Sequence, residues 1–407
     1  MKMEKMSFQK LIVIMFSVLP IIDSINGIFI RNNIPSIGSI YKILIMIILA
    51  IPIIREKKID TGLFNALIGV VVYILSSMTL NYCIFKEPFI SLDFPIKLIF
   101  NVLMFILLLQ NIWNDRIKGK DVYTIFNNNV YLMIGSMLIP YILGMGETIY
   151  SGNIGYKGFF YSQNELNASL IVLFYFCLYK VIQKFNLISF CQLVGIFLCV
   201  IMMSTKSSLI ACAVGMGLFL INCLKRFDAR LKLITVVSAV IALFVGYGFI
   251  VQKIQAAMTR QVSLFSMYGS DLLATLTSGR VYLIEEAWVQ LWESPSYFIQ
   301  LVIGNGFIST ELVEMDLIDI FFYLGSAGAI IAIFILLWIY IYSRNNLSKD
   351  KSCIRAIGYL LIIAFSCIAG HVLFMAVSGS YFIMYCCFIM TYSDENEVDY
   401  EQCGNDI

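Results

Sequence analysis

The chain has 407 residues, 60% hydrophobic and only 13% charged, with a mean hydropathy of +0.86. A soluble domain is about half apolar with about 25% charged residues, so an ordinary soluble protein is excluded. The formal net charge is +2, with Lys and Arg scattered among short loops, and this excludes a nucleic-acid partner.

The expectation is an all-α polytopic membrane protein. Its apolar runs of roughly 17 to 25 residues lack the alternation of barrel strands, so each satisfies its own backbone hydrogen bonds as a helix. About twelve spans are predicted, over residues 10–30, 39–54, 62–80, 95–112, 122–143, 166–181, 187–204, 207–224, 233–251, 317–343, 356–377 and 380–393. The basic N-terminus runs into the first span without a small-residue cleavage site, so that span is read as uncleaved. Of 11 cysteines, Cys177, Cys191, Cys199, Cys212, Cys223, Cys367, Cys386 and Cys387 fall in spans without metal-ligand spacing. They read as small apolar fillers, and no metal is expected.

Basic residues set the orientation. Arg55, Lys57 and Lys58 follow the second span, Arg116, Lys118 and Lys120 the fourth, and Lys184 the sixth. Lys225, Arg226, Arg230 and Lys232 follow the eighth, and Arg344, Lys349, Lys351 and Arg355 the tenth. With Lys2, Lys5, Lys10 and Lys180, most of the 28 basic residues share one side. That side is read as cytoplasmic and holds both termini. The expected organisation is spans one to nine over 1–251, one large extracytoplasmic loop over 252–316, spans ten to twelve over 317–393, and an acidic cytoplasmic tail over 394–407. Nucleotide-sugars and ATP are cytoplasmic, so chemistry on the loop needs a substrate that crosses the membrane already activated. No P-loop or Rossmann glycine motif occurs.

Polar groups on that outer side are the candidates. Val281, Ile284, Trp288 and Leu291 form a helical apolar stripe, read as an amphipathic helix on the membrane surface or against the bundle, with Ser278 as N-cap. Arg280 in its first turn suits bidentate binding of a phosphate or diphosphate; the alternatives are snorkelling to headgroups or pairing with Glu285 or Glu286. Glu314, Asp316 and Asp319 stand at the start of an apolar span, with Asp316 and Asp319 on one helical face. They read either as general bases in a desolvated pocket or as helix-capping acids.

Gly304-Asn305-Gly306 is a turn that lets backbone approach a ligand, or an ordinary turn. Lys157 to Glu165, with Gln163 and Asn164, mixes aromatics and amides in a way that suits sugar binding or an interfacial aromatic belt. Lys206, in the Thr205-Lys206-Ser207-Ser208 turn, is a cation for a phosphate or a headgroup. His371, the sole histidine, and Asp23 are predicted within spans; such groups are functional candidates by default, although a lone His is more often a packing residue.

The order of these motifs carries a resemblance. Gly158-Phe159-Phe160-Tyr161-Ser162-Gln163-Asn164-Glu165 precedes a span, and Ser204-Thr205-Lys206-Ser207-Ser208 forms an outer turn. Ser278-Gly279-Arg280 and Gly304-Asn305-Gly306 follow, and then Glu314-Met315-Asp316 leads to Gly325 and Gly328. This resembles the bacterial O-antigen ligase and Wzy-type polysaccharide polymerase superfamily. The resemblance implies residence in the bacterial cell (inner) membrane and glycosyl transfer on its outer face. Undecaprenyl-diphosphate-linked oligosaccharides would be donor and acceptor, with no metal, cofactor or nucleotide-sugar. Partners would be the bilayer and other polysaccharide-assembly membrane proteins.

Arg280 matches the arginine of the family's Ser-Gly-Arg and would hold the diphosphate. The ligases' histidine-asparagine pair is replaced by Glu314 and Met315, which argues for a polymerase over a ligase and leaves Glu314 or Asp316 as the base. Ser208 stands where an arginine is common, leaving Lys206 as the cation there. The competing readings are a ligase, a lipid-linked oligosaccharide flippase, a peptidoglycan polymerase, and a structural or sensor protein.

Overall fold

The computed structural model describes residues 2–56, 60–85, 93–150, 154–226, 255, 259, 262–269, 271–305, 313–349, 353–368 and 370–392. The predicted ninth span, Gly306 and the acidic tail lie outside the described residues, so the count of twelve spans rests on sequence. The first helices are α1 (Lys2–Ser17), α2 (Leu19–Arg31), α3 (Ile37–Glu56), α4 (Thr61–Phe85), α5 (Asp93–Trp113) and α6 (Gly119–Ile142). Next come β1 (Glu147–Tyr150) and β2 (Ile154–Gly158), then α7 (Gln163–Gln183), α8 (Leu187–Met203) and α9 (Lys206–Arg226). The chain continues as α10 (Leu272–Thr277), α11 (Arg280–Glu293), α12 (Tyr297–Ile303), α13 (Asp316–Ser348), α14 (Ile354–Ser366) and α15 (Ala376–Thr391).

Among the described residues, five helices are long and apolar enough to cross a membrane, and six if the bent pair α1 and α2 is one span. That pair bends by 47° where Pro20 opens α2; proline lacks the N–H that would continue the ladder. On α13, Ile330, Ile333, Phe334, Leu337 and Ile341 are exposed at helical spacing, a stripe that suits hydrocarbon rather than water. Inside, α7 and α15 are buried on nearly every face. α7 packs against α8, α9, α14 and α15. Arg355, 1% exposed, lies over Tyr179 and Phe388 and donates to Tyr392 O at 2.7 Å. This closes the core at the C-terminal ends of α7 and α15, away from their N-terminal ends where the candidate residues lie.

Three expectations change. The chain is not purely helical: β1 and β2 form an antiparallel hairpin with Thr148 opposite Tyr156, too short and too polar for a periodicity to show. The predicted span over 356–377 ends as a helix at Ser366, and the described residues 367–368 and 370–375 before α15 are non-helical. The predicted tenth span is a broken helix, because Gly325 sits at φ 68, ψ −174 inside α13.

The break is built against the turn after α12. A Cβ on Gly304 would lie 2.1 Å from Tyr323 O, and one on Gly325 would lie 2.2 Å from Val302 O. Backbone groups freed by the break find partners. Asn305 N donates to Phe322 O at 2.8 Å, Ser77 Oγ to Ile303 O at 2.6 Å, and the Tyr73 hydroxyl to Leu324 O. Gly304 therefore approaches the chain's own backbone. Gly304→Ala and Gly325→Ala should each destabilise the fold by about 2–4 kcal/mol, through a clash and a forced positive φ, read as a lowered thermal midpoint in detergent.

Asp23 is answered by a partner within the bundle: Lys42 Nζ lies 2.8 Å from its Oδ1, both side chains fully buried. A buried pair of this kind holds two helices in register and needs no ligand to account for it.

Candidate functional site

The Ser278-Gly279 turn places the arginine. Asp271 caps α10, its Oδ1 accepting from Leu273 N at 2.8 Å and Ala274 N at 3.1 Å. Ser278 (φ 57) and Gly279 (φ 86) then take two successive left-handed conformations, and α11 begins at Arg280. Ser278 is thus the C-cap of α10 rather than the predicted N-cap of α11. Gly279 is the N-cap and has no side chain; Thr277 Oγ1 accepts from Val281 N at 3.4 Å instead. Lys206, the first residue of α9, donates to Thr275 O at 2.6 Å and reaches Ser278 Oγ at 3.4 Å. Its ammonium braces the turn that carries Arg280.

The predicted amphipathic stripe is present and has a partner. Ile284 and Leu291 pack with Val313, Met315 and Phe322, and Trp288 stacks on Phe321 at 6.0 Å. α11 therefore lies against the start of α13, bringing Arg280 to the three acids. Arg280 Nη2 donates to Glu314 Oε2 at 2.8 Å and Nη1 to Thr277 O at 3.1 Å, while Nε is buried with no partner. The pairing is with Glu314, 34 residues away, and not with the neighbouring Glu285 or Glu286.

The three acids have separate roles. Asp319 accepts from Val313 N and Met315 N at 2.8 Å each. This clamps both sides of Glu314, which stands at φ 60 with its side chain half-exposed. A left-handed non-glycine costs about 1–2 kcal/mol, so the two clamps hold a strained residue. Asp319→Asn should cost about 1–3 kcal/mol, since one backbone N–H then faces an amide NH₂; thermal unfolding in detergent reads it.

Asp316 is fully buried. Its Oδ2 accepts from Val372 N at 2.8 Å and Leu373 N at 2.6 Å, and its Oδ1 lies 3.3 Å from His371 Nδ1. Asp319 Oδ2 is 3.6 Å from the same nitrogen. With these carboxylates occupied by backbone donors and the imidazole, neither has an oxygen edge open in the manner of a base.

His371 is what the sequence reading placed wrongly. It lies in the non-helical segment between α14 and α15, oriented by Asp316, and its Nε2 is buried with no partner. Burial lowers its pKa, but the hydrogen bond and charge of Asp316, with the charges of Asp319 and Glu314, more than offset this, so the pKa is raised from 6.5. The usable signal was the pair of acids at i and i+3 together with a lone histidine; the 55-residue separation hid the contact.

The neighbouring Gly370 (φ +106) draws in α7. A Cβ there would lie 2.4 Å from Asn164 Nδ2 and 3.4 Å from Arg280 Nη2. Glu165 reaches across to accept from Val377 N at 2.6 Å, capping α15 and fixing the start of α7 beside this segment.

The structure therefore brings together Arg280, Glu314, Asp316, Asp319, Asn164 and His371, with Lys206 behind the arginine turn. Gln163 opens α7 next to Asn164. Lys157 lies elsewhere, in the hairpin, donating to Tyr161 O at 3.0 Å and 3.5 Å from Glu147, which Arg31 also binds at 3.0 Å. Burial and the nearby Arg31 lower its pKa against the opposing pull of Glu147.

Fold and site together define a predominantly helical protein with apolar helices of membrane-crossing length. At the start of one of them it carries an arginine–carboxylate pair beside an aspartate-oriented histidine. No family model matches the chain, and no curated protein matches it in sequence.

Proposed function

We propose that this protein is a polysaccharide polymerase of the bacterial cell membrane. It would transfer glycan from an undecaprenyl-diphosphate-linked donor to a lipid-linked repeat-unit acceptor on the outer face. About twelve spans and cytoplasmic termini complete the reading. The observation that carries it is the meeting, around Gly370, of the Arg280 guanidinium and the Asn164 amide, next in the chain to the Asp316-oriented His371.

In this reaction Arg280 binds the donor diphosphate and stabilises the charge that develops as the anomeric carbon–oxygen bond breaks. Lys206 acts through the Thr275 to Ser278 turn by holding Arg280 in place. Asn164, beside Gln163, hydrogen-bonds sugar hydroxyls. The acceptor hydroxyl attacks the anomeric carbon, its oxygen forming the new glycosidic bond, and its proton passes to His371 Nε2. The lipid diphosphate departs with the electron pair of the broken bond. Asp316 holds Nδ1–H and so presents the Nε2 lone pair. This moves the base from Glu314 or Asp316 to His371, because the Asp316 oxygens are already occupied whereas the buried Nε2 of His371 has no partner. One displacement without a glycosyl-enzyme inverts the anomeric centre.

The test is reconstitution of the full chain in vesicles with undecaprenyl-diphosphate repeat units, followed by analysis of lipid-linked products. A ladder of polymer lengths supports the polymerase. Single transfer to a different acceptor indicates a ligase, and translocation without new bonds indicates a flippase.

A further inference from the structure

Arg280 already faces an anion. The Glu314 carboxylate meets it through Nη2 alone, at 2.8 Å, although Nε–H points from the same edge of the guanidinium and has no partner. A side-on ligand with two oxygens would take both donors, so the resident carboxylate leaves the seat half used. It is nevertheless held there by construction, since Asp319 binds the backbone N–H on either side of Glu314 and keeps it left-handed.

The surroundings say what such a carboxylate competes with. The pair stands at the start of the apolar helix α13, whose Phe321 stacks on Trp288; Trp288 meets Trp292 edge-on, and Trp292 stacks on Tyr297. Trp292 is exposed. Trp and Tyr gathered at the end of an apolar helix mark headgroup depth. Phosphodiester headgroups are in great excess there, and each carries one negative charge that a bare guanidinium would bind.

We infer that Glu314 is a resident competitor for the Arg280 seat, which it holds against singly charged phosphates, phospholipid headgroups included, and yields to a diphosphate. This rests on Arg280 being the diphosphate seat proposed above. Exchanging the carboxylate for one monoanionic phosphodiester replaces like with like and gains nothing in charge. A diphosphate brings more charge, and its oxygens can span Nη2 and the unmet Nε. The displaced Glu314 side chain is half-exposed and turns into water without being buried elsewhere.

The experiment measures dissociation constants of farnesyl diphosphate and of the singly charged diester farnesyl methyl phosphate for the full chain in detergent, by calorimetry. Glu314→Gln removes the competitor for both, so each should bind about 10-fold more tightly, equivalent to ~1.4 kcal/mol, and the diester should bind at concentrations where the parent's seat still holds Glu314. Glu314→Gly should tighten both in the same way while raising the thermal midpoint, because glycine accepts the positive φ; a rise in the midpoint shows that the change is not misfolding. Unaltered affinities for both anions in both variants overturn the inference. If Arg280→Gln still binds the diphosphate as the parent does, the anion seat itself is wrong. If Arg280→Gln loses binding while the Glu314 variants keep the parental affinities, only the competitor role of Glu314 is wrong.

Discussion

Replacing Arg280 by glutamine should lower glycan transfer about 10²–10³-fold, the range seen when one charge-stabilising donor is removed from a reaction centre. The loss should fall on the rate more than on protein abundance, because among the described residues the side chain hydrogen-bonds only Glu314 and Thr277 O. Arg280→Lys is the more informative variant. An ammonium keeps the charge but cannot present the Nε and Nη2 edge, so transfer should recover only in part, as shorter polymer in the ladder assay. Full polymer length in the lysine variant would count against a bidentate diphosphate clamp. Lys206→Met should weaken the same step through the turn, and raising the donor concentration should not restore the rate if Lys206 only positions Arg280.

The second large effect belongs to His371. His371→Gln should cost about 10²–10⁴-fold in transfer, the usual contribution of a positioned base, with donor binding kept. The pH dependence separates a base from a packing residue. The pKa of His371 is raised from its ordinary 6.5, so activity should fall as pH drops through a value above 6.5, when Nε2 becomes protonated. Stability runs the other way. A group whose folded pKa is raised contributes stability that is fully present below its unfolded value of 6.5 and is lost as pH rises through the folded value. Acidification should therefore raise the thermal midpoint through this region while lowering the rate. In Asp316→Asn the chief attraction holding the imidazolium is gone and burial dominates, so the acidic limb of the rate profile should move to lower pH. A profile unchanged by Asp316→Asn would show that His371 does not serve as the base.

Much of this molecule follows from composition and local pattern. Continuous apolar runs have few solutions other than helices, since each backbone polar group must be paired within its own segment. The amphipathic stripe of α11 was legible because helical periodicity repeats every few residues, and so was the acidic start of α13. The hairpin, the bend before Pro20 and the break at Gly325 were less so. Short elements and glycine-mediated breaks leave little periodic trace, and whether a glycine breaks a helix depends on what backbone stands opposite, here residues 302–304.

The candidate site divides along the same line. Arg280, Lys206, Asn164 and the acids from Glu314 to Asp319 are legible in the sequence as polar groups at the edges of apolar helices, where an uncompensated charge is costly. Their pairings come from the packed fold: Arg280 with Glu314, Asp316 with His371, Lys206 with the arginine turn, and Lys157 apart from all of them. The physical reason is that a charge at such an edge declares a need for a partner but not its address. That address is set by which helix ends the packing of α7, α11, α13 and α15 brings together.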